Sequence, residues 1–232
     1  MKYSHVRAVF KKQAKDSLRN PLILVIFCMF PLLSAVFKFV LPSDEFKVLV
    51  PSFANLNTVM LPVVFMSSII AEDREKKSLR MLVMSNVKGG SYIAGVGACV
   101  FALSLISSLS FAFFLPIEGF GDFACFLMSA IAGICCSLLA SAILAFIAKN
   151  QVSAGPLTAP VTMILGLLPM LSAMNADLEK FSKLFYSFYI RKSFVSLKYD
   201  SSASGIAVVG TNLTLLVLAF VFLYKTRGTR SE

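Results

Sequence analysis

Residues 72–90 read EDREKKSLRMLVMSNVKGG, and eight of the chain's 34 charged side chains fall within them. The flanking stretches hold no Asp, Glu, Lys or Arg: Val48–Ala71 before (24 residues) and Gly89–Ile117 after (29 residues). A charged island between two such runs suits a loop at a membrane surface. The hydrocarbon core takes roughly 20 apolar residues of helix to cross, and a charged side chain within it is costly.

Working outward, four more charge-free stretches appear: Asn20–Phe37, Phe123–Ala148, Asn150–Ala176 and Ser201–Tyr224. The 232-residue chain is 57% hydrophobic and only 15% charged, against about 25% for an ordinary globular domain. Helices are the expected spanning element, because their backbone is satisfied internally in lipid. The alternation of a membrane barrel is absent. The fold class expected is therefore an all-α membrane protein of six transmembrane helices in one domain, residues 1–232. Spans are expected over 21–41, 52–71, 92–115, 123–147, 155–173 and 204–224. Lys38, near the end of the first, reaches outward to the interface. Pro42–Glu45 reads as an outer turn. Lys88-Gly89-Gly90 reads as a helix break before span three.

The net charge of +10 follows topology. With six spans and the N-terminus inside, segments 1–19, 72–88, 149 and 225–232 hold 15 of the 22 basic residues. That is the excess the positive-inside rule expects. It places both termini in the cytoplasm and the chain in the cytoplasmic membrane, attracted to the lipid bilayer and not to nucleic acid. A cleavable signal peptide is not expected after so long a basic start. The five cysteines all lie within spans, make no C-x-x-C pair, and read as small packing residues.

Within 1–19, Tyr3, Val6, Phe10, Ala14 and Leu18 share one helical face, while Arg7, Lys11 and Lys15 line another. This predicts a basic amphipathic helix in the interface. Ser129, Gly133, Ser137, Ser141 and Ala145 recur every four residues in span four. Small residues so spaced let helices approach closely, within the chain or across a dimer. Pro156, Pro160 and Pro169 predict a bent or interrupted span five. Segment 174–203 is too charged to span and too aromatic for a solvent loop. With Phe181, Leu184, Phe185 and Phe188 on one face, it reads as one or two amphipathic helices in the outer interface.

Catalytic chemistry is absent from the sequence. There is no phosphate-binding G-x-x-x-x-G-K-[ST] loop, metal cluster, nucleophile elbow or carboxylate pair. The chain is not expected to be an enzyme or to hold a cofactor or metal. No ionisable group sits in the middle of a span, as a proton- or sodium-coupled porter would require. Energy for transport would then come from outside the chain. Residues 72–84 supply a contact for it. Glu72–Lys76 and Asp73–Lys77 are i,i+4 pairs in the supportive order, and Leu79, Leu82 and Val83 give an apolar edge. Such a helix suits docking into a groove on a soluble partner.

Glu72-Asp-Arg-Glu75-Lys-Lys-Ser78-Leu79-Arg-Met-Leu82, placed between spans two and three, resembles the corresponding stretch of the permease subunits of type-2 ATP-binding-cassette exporters. The remainder is similar too: an N-terminal interfacial helix, six spans, and an amphipathic outer segment between spans five and six. Lys77 stands where that family usually has Gly, Arg80 where it has Glu, and Asn86 where Pro is common. The "LRMLVMSNVK" form looks like the permeases of peptide or antibiotic export.

The resemblance implies two permeases, often identical, each clasped by a separate ATPase subunit that carries the ATP and magnesium. It implies outward movement of a hydrophobic or amphipathic substrate: peptide, antibiotic or lipid-like. Glu72, Arg74, Glu75, Leu79 and Leu82 are the candidate coupling residues. Asn55, Asn57, Thr158 and Thr162 are candidates for the path or, equally, for bonds to neighbouring helices. The readings left open beside it are a membrane immunity or sensor protein that binds a toxin or peptide without transport, and an ATP-independent porter.

Overall fold

The computed structural model describes residues 3–76, 89–148, 150–173, 175–197 and 203–227. Among these every regular element is helical. α1 spans Tyr3–Arg19, α2 Pro21–Val40, α3 Ser43–Glu75 and α4 Gly89–Leu109. A 3₁₀ turn over Ser110–Phe113 extends α4, and α5 spans Phe120–Ile147. Gln151–Thr162, a π-helical turn Met163–Leu167 and Leu168–Leu171 run on as one rod, α6. α7 (Ala176–Ser182) and α8 (Tyr186–Ser196) are short, and α9 spans Ala203–Arg227. The six long rods, α2 to α6 and α9, are each long and apolar enough to cross a membrane. They alternate in direction. α1, the C-terminal end of α3 and the α5–α6 turn therefore share one end of the bundle, called here the α1 end, and α7 and α8 lie at the other.

Several boundaries differ from the sequence reading, each for a local reason. Pro42–Glu45 is not a turn: only Leu41 and Pro42 are non-helical, and Asp44 and Glu45 occupy the first turn of α3, where carboxylates favour the helix dipole. Gly89 and Gly90 form the start of α4, three residues before the expected span, and the break expected before them reaches Lys88, which lies outside the described residues. A Cβ on Gly90 would stand 3.3 Å from the Tyr224 hydroxyl of α9, so glycine at that position makes room for the contact. α6 begins four residues earlier than expected because Asn150 and Ser153 form a reciprocal capping box. The Asn150 side chain accepts from Ser153 N at 2.9 Å, and Ser153 Oγ accepts from Asn150 N at 3.1 Å. The interruption expected in span five is the π turn just before Pro169. Proline offers no N–H to the carbonyl four residues back, and the ladder widens there. The face expected over Phe181–Phe188 is split. The chain leaves helix between α7 and α8, so Phe181 and Leu184 stay exposed, while Tyr186, Ile190 and Phe194 turn into the core.

α3 is the central rod. At about 1.5 Å per residue it is roughly 50 Å long, longer than the bilayer core, and α2, α4, α5, α6 and α8 all pack on it. The small-residue row of α5 is the seam against which it rests. Ser129, Ser137, Ser141 and Ala145 are almost fully buried. A Cβ on Gly133 would come within 2.7 Å of Thr58 Cγ2 of α3. Ser141 Oγ donates to Val63 O at 2.8 Å, and Ser137 Oγ bonds the Tyr186 hydroxyl of α8 at 2.7 Å. The row thus serves packing within the chain. By contrast α2 is largely uncovered, and no residue of the most apolar stretch of α9 is buried.

Gly133→Leu is expected to lower the thermal midpoint of the detergent-purified protein by several degrees, since overpacking a tight seam costs about 1–3 kcal/mol. Gly210→Leu, where nothing lies within 4 Å, is expected to leave it unchanged. Equal effects of the two would refute the seam.

Candidate coupling site at the α1 end

The last turn of α3 carries Glu72, Asp73, Arg74 and Glu75. Successive helical residues point about 100° apart, so the four side chains leave in four directions, each toward a different neighbour. Glu72 receives the Lys76 ammonium, which holds that lysine above its ordinary pKa. Asp73 is buried. Its Oδ2 accepts from the Tyr92 hydroxyl of α4 at 2.6 Å and from Gln13 Nε2 of α1 at 3.1 Å. Lys12 Nζ of α1 stands 3.6 Å from its Oδ1. A carboxylate removed from water needs such partners, and charge-assisted bonds are the strong ones.

Arg74 Nη1 donates to Ala148 O at 2.6 Å, just past the C-terminus of α5. Glu75 Oε2 accepts from Gln151 N at 3.0 Å, the first N–H of α6. A cation meets the negative end of one helix dipole, and an anion meets the positive end of the next. The order Asp-Arg-Glu therefore joins α1, α4, the end of α5 and the start of α6 to α3.

α1 is fitted here by shape as well. A Cβ on Gly95 of α4 would lie 2.7 Å from Val9 Cβ and 3.0 Å from Val6 O, so the two helices touch backbone to side chain. The buried face of α1 is Val9, Gln13 and Ser17. It is rotated from the apolar row counted in the sequence: Leu18, in that row, is exposed.

Of the five candidate coupling residues, Glu72, Arg74 and Glu75 stand together in this turn. Leu79 and Leu82 lie outside the described residues, as does Lys77, the expected partner of Asp73. Sequence reasoning passes over Asp73, Gln13 and Tyr92 as site residues. A signal for Asp73 exists. Val59, Val63, Met66, Ile70 and Asp73 recur at three- and four-residue steps, and all five are buried, so the aspartate continues the inward stripe of α3.

The four candidate path residues are buried inside the chain. Asn57 Nδ2 donates to Ser108 Oγ at 3.1 Å, and its Oδ1 accepts from Ser107 Oγ at 2.9 Å, joining α3 to α4. Asn55 Nδ2 reaches Gly166 O in the π turn at 3.5 Å. Thr158 and Thr162 bond carbonyls of their own helix at 3.0 Å.

The sequence profile of the ABC-2 family transporter proteins matches residues 43–224, more than three quarters of the chain. The chain belongs to that family. It is a membrane-embedded permease subunit of the ABC-2 type, with the six spans described above. Comparison with curated proteins finds no match. The matched stretch of the permease runs from the first residue of α3 to Tyr224 of α9, so α1 and α2 precede it.

Asp73→Ala leaves the Tyr92 hydroxyl and Gln13 amide buried without an acceptor, a loss of about 1–3 kcal/mol for each group so stranded. Amide hydrogen exchange across residues 3–19 is expected to accelerate in this variant, and less in Asp73→Asn, which keeps an acceptor. Unchanged exchange in Asp73→Ala would show that Asp73 does not hold α1.

Proposed function

We propose that this permease is one half of the membrane part of an ATP-driven exporter. The α1 end faces the cytoplasm, and a separate ATPase subunit grips the protein there. The observation that carries the reading is the convergence at Asp73-Arg74-Glu75. One short turn ties together α1 and four spans, and the charged segment that follows it in the sequence carries Leu79 and Leu82, the apolar edge that suits a groove on a soluble partner. A push on that turn is felt by the spans through short, charge-assisted bonds. An ATPase can shift an inward–outward balance only through contacts that differ between the two states, and a turn bonded to this many helices supplies such contacts.

The permease works as a pair, the two copies being identical, with ATP and magnesium held in the partner ATPases. The polar residues of α3 and α6 are taken up within the bundle. The outward faces of α2 and α6, with Leu32, Val36, Met163 and Ile164 exposed, are apolar. A path bordered by such faces suits a hydrophobic or amphipathic cargo: a peptide, an antibiotic or a lipid-like molecule moved outward across the cytoplasmic membrane.

The test is co-purification from the native host. The chain alone is expected to hydrolyse no ATP, and the complex to hydrolyse it. Replacing Leu79 and Leu82 together by Asp is expected to abolish ATPase binding while the permease keeps its thermal midpoint. Flux through vesicles holding only this polypeptide would overturn the reading in favour of an ATP-independent porter. Protection against a toxin without nucleotide turnover would favour an immunity protein.

A further inference from the structure

α8 presents three flanks to three neighbours. Tyr186 and Ile190 face α5, through the bond to Ser137 and the contact of Ile190 over Gly133. Tyr189 and Ser193 line a small cavity shared with α9. Arg191, half-buried, turns toward α3, where its Nε donates to Ser52 Oγ at 3.0 Å. That bond uses one of the five N–H donors of a guanidinium. Among the described residues no acceptor meets the other four, and no carboxylate forms an ion pair with this arginine. Burial lowers its pKa, and no anion among the described residues raises it. One turn back on the same flank, Ser187 Oγ is buried without a hydrogen-bond partner.

A cation kept partly from water needs an anion, or acceptors enough to replace its hydration. The first turn of α3 does not supply one: Asp44 pairs with Lys47, and Glu45 is exposed. Depth narrows what else could. Ser52 stands nine residues along α3 from Ser43, about 13 Å. α3 exceeds the bilayer core by roughly 20 Å, so an even overhang puts Ser52 just inside the hydrocarbon boundary. An anion reaching that depth comes attached to an apolar body. α6, whose outward face is proposed to border the path, also packs on α8.

We propose that Arg191 binds the oxyanion, carboxylate or phosphate, of an amphipathic molecule, and that this molecule is the cargo. The planar fork of arginine matches either group. Ser52 holds the guanidinium through Nε, which leaves the Nη edge for the ligand, and Ser187 lies at the inner edge of the site. The cargo class thereby narrows to acidic amphipaths. A phospholipid headgroup offers the same chemistry, and membrane composition separates the two. That the ligand is cargo rests on the exporter function proposed above; the binding itself does not.

The permease is placed in nanodiscs of phosphatidylcholine, and the probes are dansyl-undecanoic acid and its methyl amide, with empty nanodiscs as the blank. A hydrogen bond to a charged group is worth about tenfold in affinity or more. The wild type is therefore expected to bind the acid at least about tenfold more tightly than the amide. Arg191→Gln is expected to erase the difference. Arg191→Lys, which loses the fork, is expected to keep part of it, and Lys192→Gln to leave it intact. Exchanging about one third of the lipid for anionic phosphatidylglycerol is expected to leave the preference unchanged. With the ATPase bound, the acid but not the amide is expected to speed ATP hydrolysis, and Arg191→Gln to abolish that response.

The site is refuted if acid and amide bind the wild type alike, or if Arg191→Gln keeps the preference. A preference that emerges only in Asp200→Asn refutes it too, since Asp200, outside the described residues, would then be the arginine's own partner. Loss of the preference in phosphatidylglycerol assigns the site to phospholipid and overturns the cargo class, as does binding through Arg191 with no effect on ATP turnover. If no ATPase associates, the exporter function fails and the cargo assignment with it, while the binding result stands by itself. Should Arg191→Gln fail to fold, hydrogen exchange of wild-type α8 decides: slowing across 186–196 by the acid alone supports the site, and equal slowing by both probes overturns it.

Discussion

A helix of 33 residues that must bury most of its surface in a small membrane protein can do so only where its neighbours come very close. That constraint on α3 governs the rest. Lipid tails are as apolar as leucine side chains, so greasiness alone does not hold helices together in a bilayer. Close packing and interhelical hydrogen bonds do. The contacts of α3 follow this rule along its whole length. Near its start Ser52 Oγ accepts from Arg191 Nε of α8 at 3.0 Å. Midway, Gly133 and Gly166 lack the Cβ atoms that would strike Thr58 and Leu56, while Asn57 bridges to two serines of α4. At its end the contacts become ionic. Charged groups enter these contacts only toward the two ends, Arg191 near the start and Asp73, Arg74 and Glu75 in the last turn, because a charge is tolerated only closer to an aqueous boundary.

The charged turn is more than a membrane-surface loop for the same reason. Positive-inside bias accounts for lysines and arginines collecting at one end of a bundle. It does not account for a buried aspartate among them, or for the opposite charges of the next two residues. The helix termini do. α5 ends and α6 begins within a few residues of each other, presenting a carbonyl and an N–H that have no helical partner. Arg74 and Glu75 serve one each. The charge order of the turn is thus set by the order of the helix ends it faces.

The spans are legible in the sequence because a soluble chain of this size has no room to bury six successive charge-free runs of membrane length. The four-residue row on α5 is legible because small side chains at that step have one geometric use. Helix ends are less so. Asp44 and Glu45 look like turn residues by composition and are helix starters by position, and the Asn150–Ser153 box is hidden inside an apolar run. The face of α1 differs from its apolar row by about one residue. Counting apolar side chains misses that Gln13 and Ser17 are the buried ones, and the burial of Gln13 depends on Asp73, sixty residues away. Buried by a distant partner, Gln13 adds nothing to the apolar row of α1. Leu79 and Leu82 belong to the stretch that lies outside the described residues, so the turn is seen up to Lys76.

The family match starts at Ser43, yet α1 cannot be treated as an appendage to the matched part. Gly95 and Asp73 both lie within the match and both contact α1. Without α1, Gly95 would expose a bare stretch of helix backbone at no benefit, since glycine within a helix is destabilising by roughly 0.5–1 kcal/mol relative to alanine. Asp73 would likewise lose the amide and the ammonium that share its two oxygens. These features make physical sense only with α1 in place. The N-terminal helix is therefore part of the same packed unit as α3 and α4, and any force on the charged turn reaches it directly.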